Sequence, residues 1–297
     1  MTKVNVSIVL AVKNEELYIR EAISSILNQK EIITELIIVD DNSTDKTYDI
    51  LKEIQNNFQS IKLYHNISKG KTSAFNYGVS KSTGEYICLF AGDDIMPEGS
   101  LYARWMDVIQ YPEEQQVVQL CKLKTMSINK KLDNVLIPRK SGKGAVSGAC
   151  FLINKRCADV IFPIPECLPN EDTWMELAVV HLDSLNVYHT DTIGCNWRIH
   201  ANNSINMLVS FEDFNKKITP RMEALRLFYY QYESILTEKN KHLLMEKIKC
   251  ENYRREGNFI AIVLSKSHLI DKLRSISISN NFFYSVRKRF YSLLSGW

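Results

Sequence analysis

The sequence lacks the features that mark membrane-spanning, secreted and cysteine-ligated metal proteins. No apolar run approaches the ~18 residues that a bilayer-spanning helix needs. The first ten residues lack the basic start and apolar core of a signal peptide, so we expect a cytoplasmic protein. Seven cysteines are scattered without a Cys-x-x-Cys pair, which favours reduced thiols over a disulfide framework or zinc site. A net charge of +3 over 297 residues is too small to indicate nucleic-acid binding.

The common glycine-rich nucleotide motifs are also missing. Gly70-Lys71-Thr72 imitates the end of a phosphate-binding P-loop, but that loop needs a glycine five positions before Gly70, where the chain has His65. The first strand is not followed by Gly-x-Gly-x-x-Gly, which makes a dinucleotide-binding dehydrogenase a poor fit. The opening loop of sugar-nucleotide pyrophosphorylases, rich in glycine and containing lysine, is missing as well.

What the first two hundred residues do contain is an alternation of strand and helix patterns. This alternation predicts an α/β fold with a mainly parallel sheet and helices on both faces. The predicted strands are 4–12, 35–39, 61–65, 86–90, 117–123, 149–153 and 186–192. The segment 124–148 has the polar composition of a loop, and from about residue 211 only helical periodicity remains. We therefore expect a catalytic domain over 1–208 and a helical extension over 209–297.

Acidic pairs occur at three predicted element ends: Asp40-Asp41, Asp93-Asp94 and Glu171-Asp172. In parallel sheets, ligands bind outside the carboxyl ends of the strands. Buried neighbouring carboxylates repel each other, and Mg²⁺ or Mn²⁺ with a substrate phosphate would relieve that repulsion. An Asp-rich turn that caps the next helix would explain any single pair, but three pairs together favour a site.

Several motifs, in order, resemble the family 2 glycosyltransferases. They are residues 7–16, 25–29, 35–45, 70–71, 76–78 and 84–87. The resemblance covers roughly residues 4 to 205 and implies the GT-A fold, a Rossmann-like sheet that binds a nucleotide-diphosphate sugar. Ala11 departs from the pattern, because many relatives have proline there.

The resemblance implies a donor-binding role for residues of four loops. Asp41 would hydrogen-bond a pyrimidine base, Asp40 would support its turn, and Lys71 would lie near the diphosphate. Asp93 would contact the ribose or a metal-bound water. From its sequence position Asn14 is also expected to cap the first helix, with Glu15 in the first turn. The full set of predicted donor-binding residues is Ala11, Asn14, Glu15, Asp40, Asp41, Lys71 and Asp93.

The resemblance also implies metal and catalytic roles. Asp94 would hold Mn²⁺ or Mg²⁺, assisted by His200 from the motif of residues 197–204, in which Arg198 would support the leaving group. Asp172 would be the general base of an inverting transfer, with Glu171 supporting it. An ordinary first-turn charge would explain Glu171 equally well.

The predicted function is therefore transfer of a sugar, most simply from a UDP-sugar, to a hydroxyl of a glycan or lipid-linked glycan. By analogy, the pathway would be bacterial capsule or O-antigen synthesis. Two alternatives remain open: a polyprenyl-phosphate sugar transferase, whose acceptor needs no strong base, and a non-catalytic sugar-nucleotide-binding subunit.

The carboxyl-terminal tail, residues 281–297, has apolar residues at helical spacing next to three consecutive basic residues, 287–289. Such a helix can lie on an anionic membrane, and this would bring the protein to an acceptor on the inner face. Packing of the same apolar stripe on the rest of the protein is the equally strong alternative.

Overall fold

The computed structural model describes residues 5–58, 60–200 and 209–289. The chain divides into two compact units. The first comprises Met1–Val179 and Ser184–Ile199, and the second comprises Val180–Asp183 and His200–Trp297.

An eight-stranded sheet organises the first unit. Its strands are β1 (Val6–Val12), β2 (Thr34–Asp40), β3 (Ile61–His65), β4 (Tyr86–Ala91), β5 (Gln116–Met126), β6 (Leu136–Ile137), β7 (Phe151–Asn154) and β8 (Leu185–Arg198). The order is β3-β2-β1-β4-β7-β5-β6, with β8 beside β5. The first four strands are parallel, whereas β7 runs antiparallel to both of its neighbours. The predicted α/β sheet is confirmed.

Helices connect these strands and make up the described part of the second unit. In chain order they are α1 (Ile19–Leu27), α2 (Thr47–Asn57), α3 (Lys71–Ser80), α4 (Ser100–Val108), α5 (Lys155–Ile161), α6 (Asp172–His181), α7 (Phe211–Met222), α8 (Ala224–Tyr232), α9 (Glu238–Arg255), α10 (Phe259–Leu264), α11 (Leu269–Ile276) and α12 (Asn281–Arg289). The helical extension expected after residue 209 is therefore present. Among the described residues, none of these helices has the length and hydropathy to cross a bilayer.

The central strand β1 is buried on both faces, as its unbroken apolar sequence predicts. Ile8 and Leu10 join the main apolar core, while Val9 faces α3. At the contact, a Cβ placed on Gly78 would lie 2.3 Å from Cγ1 of Val9. Only glycine lets α3 approach the strand so closely, and this approach brings the start of α3 near the ends of β1 and β2.

A buried glutamate ties together the starts of several strands. Glu35 on β2 accepts hydrogen bonds from Ser7 on β1 (2.6 Å) and from the Thr83 N–H and hydroxyl before β4, and it pairs with Lys62 on β3 at 2.5 Å. Burial alone would raise the pKa of Glu35, but these bonds outweigh it and lower the pKa to about 2. The carboxylate therefore stabilises the folded sheet.

We expect Glu35→Gln to lower the free energy of unfolding at pH 7 by about 2 kcal/mol, the usual size for hydrogen bonds to a charged group. Because the folded pKa lies below the unfolded value of 4.5, this stabilisation is present above pH 4.5 and is lost as the pH falls toward 2. Urea melts of both proteins at several pH values check the prediction. Glu53→Gln, which changes an exposed glutamate paired with Arg20, is the control and should have a much smaller effect. A difference between E35Q and the wild type that does not shrink at low pH would contradict the assignment.

The tail helix α12 packs within the second unit mainly through the aromatic residue Tyr284. Tyr284 is buried against Phe211 and Phe214 of α7, while Phe282 and Val286 are exposed. The last part of the predicted apolar stripe, residues 290–297, lies outside the described residues. Membrane contact through this tail stays a prediction.

Candidate active site at the carboxyl ends of the parallel strands

The loops after β1 and β2 are bonded to each other. The Asp41 N–H donates to the carbonyl of Val12 at 2.8 Å, and Oδ1 of Asn14 accepts from the Thr44 N–H at 2.8 Å. Asn14 has a φ of 57°, and α1 begins only at Ile19, so the predicted cap at Asn14 is wrong. Its side-chain oxygen instead accepts a hydrogen bond from the neighbouring loop, and asparagine is one of the few residues that adopt a left-handed backbone.

Asp40 and Asp41 lie at the end of β2, where the loop that follows this strand begins. Asp40 supports the turn by accepting the Ser43 N–H, and its buried Oδ1 has no hydrogen-bond partner among the described residues. Asp41 is 4% exposed and accepts from the Asn66 amide and the Gly70 N–H, both at 2.8 Å. Asp41 therefore connects the end of β2 to the start of α3.

Lys71, the first residue of α3, joins this loop to Glu171, the neighbour of the predicted base Asp172. Its Nζ lies 2.9 Å from Oε1 of Glu171. Burial alone would lower the pKa of Lys71, but the carboxylates of Glu171, Asp172 and Asp93 raise it, which keeps the ammonium charged. Among the described residues, this is the cation that lies between the β4 acids and the acidic pair before α6.

Asp93 and Asp94 follow β4 directly. Asp94 is buried, and its Oδ1 accepts the Arg198 N–H at 2.8 Å while the Cys195 thiol lies 3.5 Å from Oδ2. Burial and the charge of Asp93 raise the pKa of Asp94 to about 8. The ionised form is thus costly until a cation approaches.

Arg198 holds the end of β8 against the same acids. Its Nε donates to the Asp93 carbonyl at 2.8 Å. Its guanidinium pairs with Glu21 at 2.6 Å and also lies over the Tyr18 ring. Bound in this way, Arg198 fixes the backbone that presents Asp93 and Asp94.

Glu15 lies with Asp93 and Asp94 in one acidic group. The prediction that Glu15 lies in the first turn of a helix is wrong. It precedes α1, and its N–H donates to the Thr47 hydroxyl at 2.7 Å. Burial, followed by the charges of Asp93 and Asp94, raises the pKa of Glu15 to about 8. Three carboxylates from two loops therefore share one poorly solvated region.

Glu171 and Asp172 stand at the start of α6. The helix begins at Asp172. Glu171 is buried, and its Oε2 has no partner among the described residues; burial raises its pKa, and Lys71 partly opposes that rise. The N–H of Gly148 donates to Oδ1 of Asp172 and so orients the carboxylate.

Gly148 is a site residue that the sequence analysis missed. A Cβ at this position would lie 2.5 Å from Oε1 of Glu171 and 2.9 Å from Oδ1 of Asp172. Glycine lets the backbone donate to Asp172 at close range, while Glu171 stays paired with Lys71. The only sequence signal was the end of a polar, Gly-containing segment, which does not reveal contact with a residue 24 positions later.

We expect Gly148→Ala to lower turnover of the reaction that the sequence motifs predict by about 10²-fold, because the methyl group must displace one or both carboxylates, and a shift of about 1 Å has that cost. Donor affinity should change far less, and a thermal melt should show a folded protein. Ser147→Ala, the adjacent change that adds no atoms, is the control. Wild-type turnover in G148A would show that the placement of Asp172 by Gly148 is unimportant.

Most of the predicted site residues lie together at one edge of the first unit. Ala11 also lies there, paired with Val39 on β2 and Ala91 on β4. The residues connected by these contacts and charges are Ala11, Asn14, Glu15, Asp40, Asp41, Lys71, Asp93, Asp94, Glu171, Asp172 and Arg198. His200 belongs to the second unit, and residues 201–208 of its motif lie outside the described residues.

Solved structures share this architecture across nearly the whole chain. Staphylococcus aureus TarS (residues 1–349) in complex with UDP-GlcNAc superposes with a TM-score of 0.60 at 18% identity, covering 97% of this chain and 91% of that one. The mannosyltransferase PcManGT from Pyrobaculum calidifontis, in complex with GDP-Man and Mn²⁺, has a TM-score of 0.55 at 12% identity, covering 98% and 88%. At these identities the likeness shows the fold, which is the GT-A fold of glycosyltransferases.

Sequence comparison matches the amino-terminal part to one family. Residues 7–136, fewer than half of the 297 residues, match the family model described as glycosyl transferase family 2. A curated relative from Methanococcus voltae, a dolichyl N-acetyl-α-D-glucosaminyl phosphate 3-β-D-2,3-diacetamido-2,3-dideoxy-β-D-glucuronosyltransferase, is 39% identical over 98 residues, which are 31% of this chain and 30% of the relative. The matches to the first curated relatives span only 24% to 39% of their lengths.

Proposed function

We propose that the chain is a metal-dependent, inverting glycosyltransferase that transfers a sugar from a UDP-sugar to a hydroxyl of a glycan or lipid-linked glycan. The observation that carries the proposal is the position of Lys71. Its ammonium pairs with Glu171 and feels the charges of Asp172 and Asp93. The donor-side loops and the predicted base thus meet around one cation, as a transfer from a diphosphate requires.

The donor would lie along the ends of β1, β2 and β4. Asp41 would face the base and Lys71 the diphosphate, with Ala11, Asn14 and Glu15 on the β1 side. UDP-GlcNAc in the TarS complex supports a UDP-sugar. GDP-Man in PcManGT shows that the fold also accepts a purine nucleotide, so the nucleotide has to be measured.

The residues fit a hard divalent cation such as Mn²⁺ or Mg²⁺. Asp94 is a buried carboxylate beside a second acid; Lys71 lowers its pKa, but burial and the charge of Asp93 outweigh that effect. Among the described residues, no three or more His, Cys, Asp and Glu are grouped so as to hold a metal. Asp94 would therefore hold the ion together with the donor phosphates, and the bound ion would stabilise the charge of the departing diphosphate. A metal-binding role for His200 stays a prediction from the sequence motif.

Asp172 would act as the general base. The acceptor hydroxyl gives its proton to the Asp172 carboxylate, its oxygen bonds to the anomeric carbon, and the bond from that carbon to the diphosphate breaks, so that UDP leaves with the electron pair. The Gly148 N–H leaves one carboxylate oxygen free to accept the proton.

The acceptor would be a glycan or a lipid-linked glycan. The name of the Methanococcus relative contains a lipid-linked sugar phosphate, which supports a lipid-linked glycan. Bacterial surface polysaccharide such as capsule or O-antigen is the pathway we propose. A nucleotide-sugar donor and seven free cysteines favour a cytoplasmic location, with the acceptor at the inner face of the membrane.

A panel of nucleotide sugars tests donor and metal together. We expect thermal stabilisation by UDP-sugars that requires Mn²⁺, whereas CDP-, GDP- and dTDP-sugars should have less effect. The Asp41→Asn protein should lose most of the UDP preference. Stabilisation by every nucleotide sugar alike, with or without Mn²⁺, would overturn the donor and metal assignments.

A further inference from the structure

The second unit exposes a group of large aliphatic side chains on two consecutive helices. Six of them, each between 52% and 77% exposed, define what we call the α10–α11 surface: Ile260, Val263, Leu264, Leu269, Ile270 and Leu273. Single exposed apolar residues are common, but several large ones on two helices that contact each other mark a binding surface.

Helix α11 exposes its apolar side, whereas an ordinary surface helix exposes its polar side. It is strongly amphipathic, yet none of its residues is buried. Its polar side faces the protein: Ser275 contacts the buried Cys250 of α9, and Lys272 donates to the Val263 carbonyl of α10 at 2.8 Å. A helix that only covered a core would turn its leucines inward. Here they point outward, which is the arrangement expected when the apolar side has an external partner.

The α10–α11 surface continues into α12. The ring of Phe259, at the start of α10, contacts Phe283 of α12 at a centroid distance of 5.5 Å, and the adjacent Phe282 is exposed. Arg287 of α12 donates to the Ser277 hydroxyl just after α11, at 2.9 Å. The apolar surface and the basic residues of α12 are therefore neighbours.

The charge around this surface identifies its partner. Residues 259–289 contain six Lys and Arg and one acidic residue, Asp271, a net charge of +5. The rest of the chain holds 31 basic and 33 acidic residues. Lys266 and Arg274 are exposed directly beside the leucines. A second copy of this chain would present the same positive charge and be repelled, whereas an anionic bilayer complements both the charge and the apolar side chains.

We propose that α10 and α11, with the basic residues around them, bind an anionic lipid bilayer, the aliphatic side chains entering the headgroup region and the Lys and Arg side chains contacting lipid phosphates. From the sequence, membrane contact through the tail, residues 281–297, and packing of that tail on the protein were equal alternatives. The surface proposed here lies instead on α10 and α11, which the sequence patterns had not singled out. Membrane binding of this kind does not depend on the catalytic proposal and can be measured without donor or metal.

Flotation of the full-length protein with lipid vesicles tests this proposal. We expect flotation with vesicles of 70% phosphatidylcholine and 30% phosphatidylglycerol, and little with phosphatidylcholine alone. The double variant L264S/L269S should lower the partition coefficient at least about tenfold, because each exposed leucine would otherwise gain burial in lipid. K266E/R274E should weaken binding to the anionic vesicles and remove its salt dependence.

Matched controls separate lipid binding from misfolding and self-association. Ile128, fully exposed in the first unit, supplies the control I128S, which should float like the wild type. The substituted leucines are exposed, so L264S/L269S should keep the wild-type melting temperature. Equal flotation of L264S/L269S and the wild type would overturn the proposal. It would also be overturned by a protein that does not float but forms a dimer that L264S/L269S abolishes.

Discussion

Asp172→Asn should lower kcat by about 10²–10⁴-fold, the usual contribution of a general base. Asparagine keeps the shape of the side chain and can still accept the hydrogen bond from Gly148, but it cannot take the proton from the acceptor hydroxyl. Affinity for the UDP-sugar should stay close to that of the wild type, because the role proposed for Asp172 is on the acceptor. Release of UDP during transfer to an acceptor glycan measures the turnover, and calorimetry measures donor binding.

The control for this change is Asp159→Asn, which alters an exposed aspartate on α5. It should leave kcat unchanged. Full activity of D172N would favour the polyprenyl-phosphate transferase, since a phosphate acceptor is already ionised. Tight UDP binding by the wild type, with no turnover of any UDP-sugar in the presence of candidate acceptors, would instead favour a non-catalytic binding subunit.

Asp94→Asn should have the second large effect, which is on metal-dependent donor binding and not on proton transfer. Without the carboxylate, Mn²⁺-dependent binding of UDP should weaken by about 10²-fold or more, and turnover should fall with it, because the bound ion contributes several kcal/mol to stabilising the diphosphate. The protein without ligand should melt no lower than the wild type. Burial and Asp93 already make the ionised Asp94 unfavourable, so removing its charge relieves repulsion.

Weaker Mn²⁺-dependent UDP binding together with an undiminished melting temperature distinguishes a ligand-binding residue from a structural one. A structural aspartate would lower the melting temperature when replaced, and it would not change the metal dependence of UDP binding. D94N that binds UDP and Mn²⁺ as tightly as the wild type would contradict its role as a metal ligand. D159N again serves as the matched control.

The parallel sheet could be predicted from the sequence because its strands are buried on both faces. Apolar runs such as the one in β1 have few other interpretations when helical patterns separate them. The acidic pairs at strand ends were visible for the same reason, since a strand end followed by Asp-Asp is a local pattern. The boundaries of β8 were harder to predict, because its polar and half-buried residues continue to Arg198, well past the predicted end at 192.

Features that depend on distant contacts could not be predicted. Asn14 has a good capping side chain for a local pattern, but its amide bonds to Thr44 in another loop. The role of Gly148 depends on Asp172 and Glu171, which reach it only in the folded chain. The outward leucines of α11 show the same limit: periodicity reveals an apolar side but not the direction in which it points.

A crystal structure with UDP and Mn²⁺ bound, with the ion located by its anomalous scattering, tests the central claim most directly. We predict one ion between a carboxylate oxygen of Asp94 and the diphosphate, with Asp41 beside the uracil and Asp172 on the open side of the site. An ion or diphosphate bound away from Asp94, with its carboxylate still held only by Arg198 and Cys195, would contradict the account.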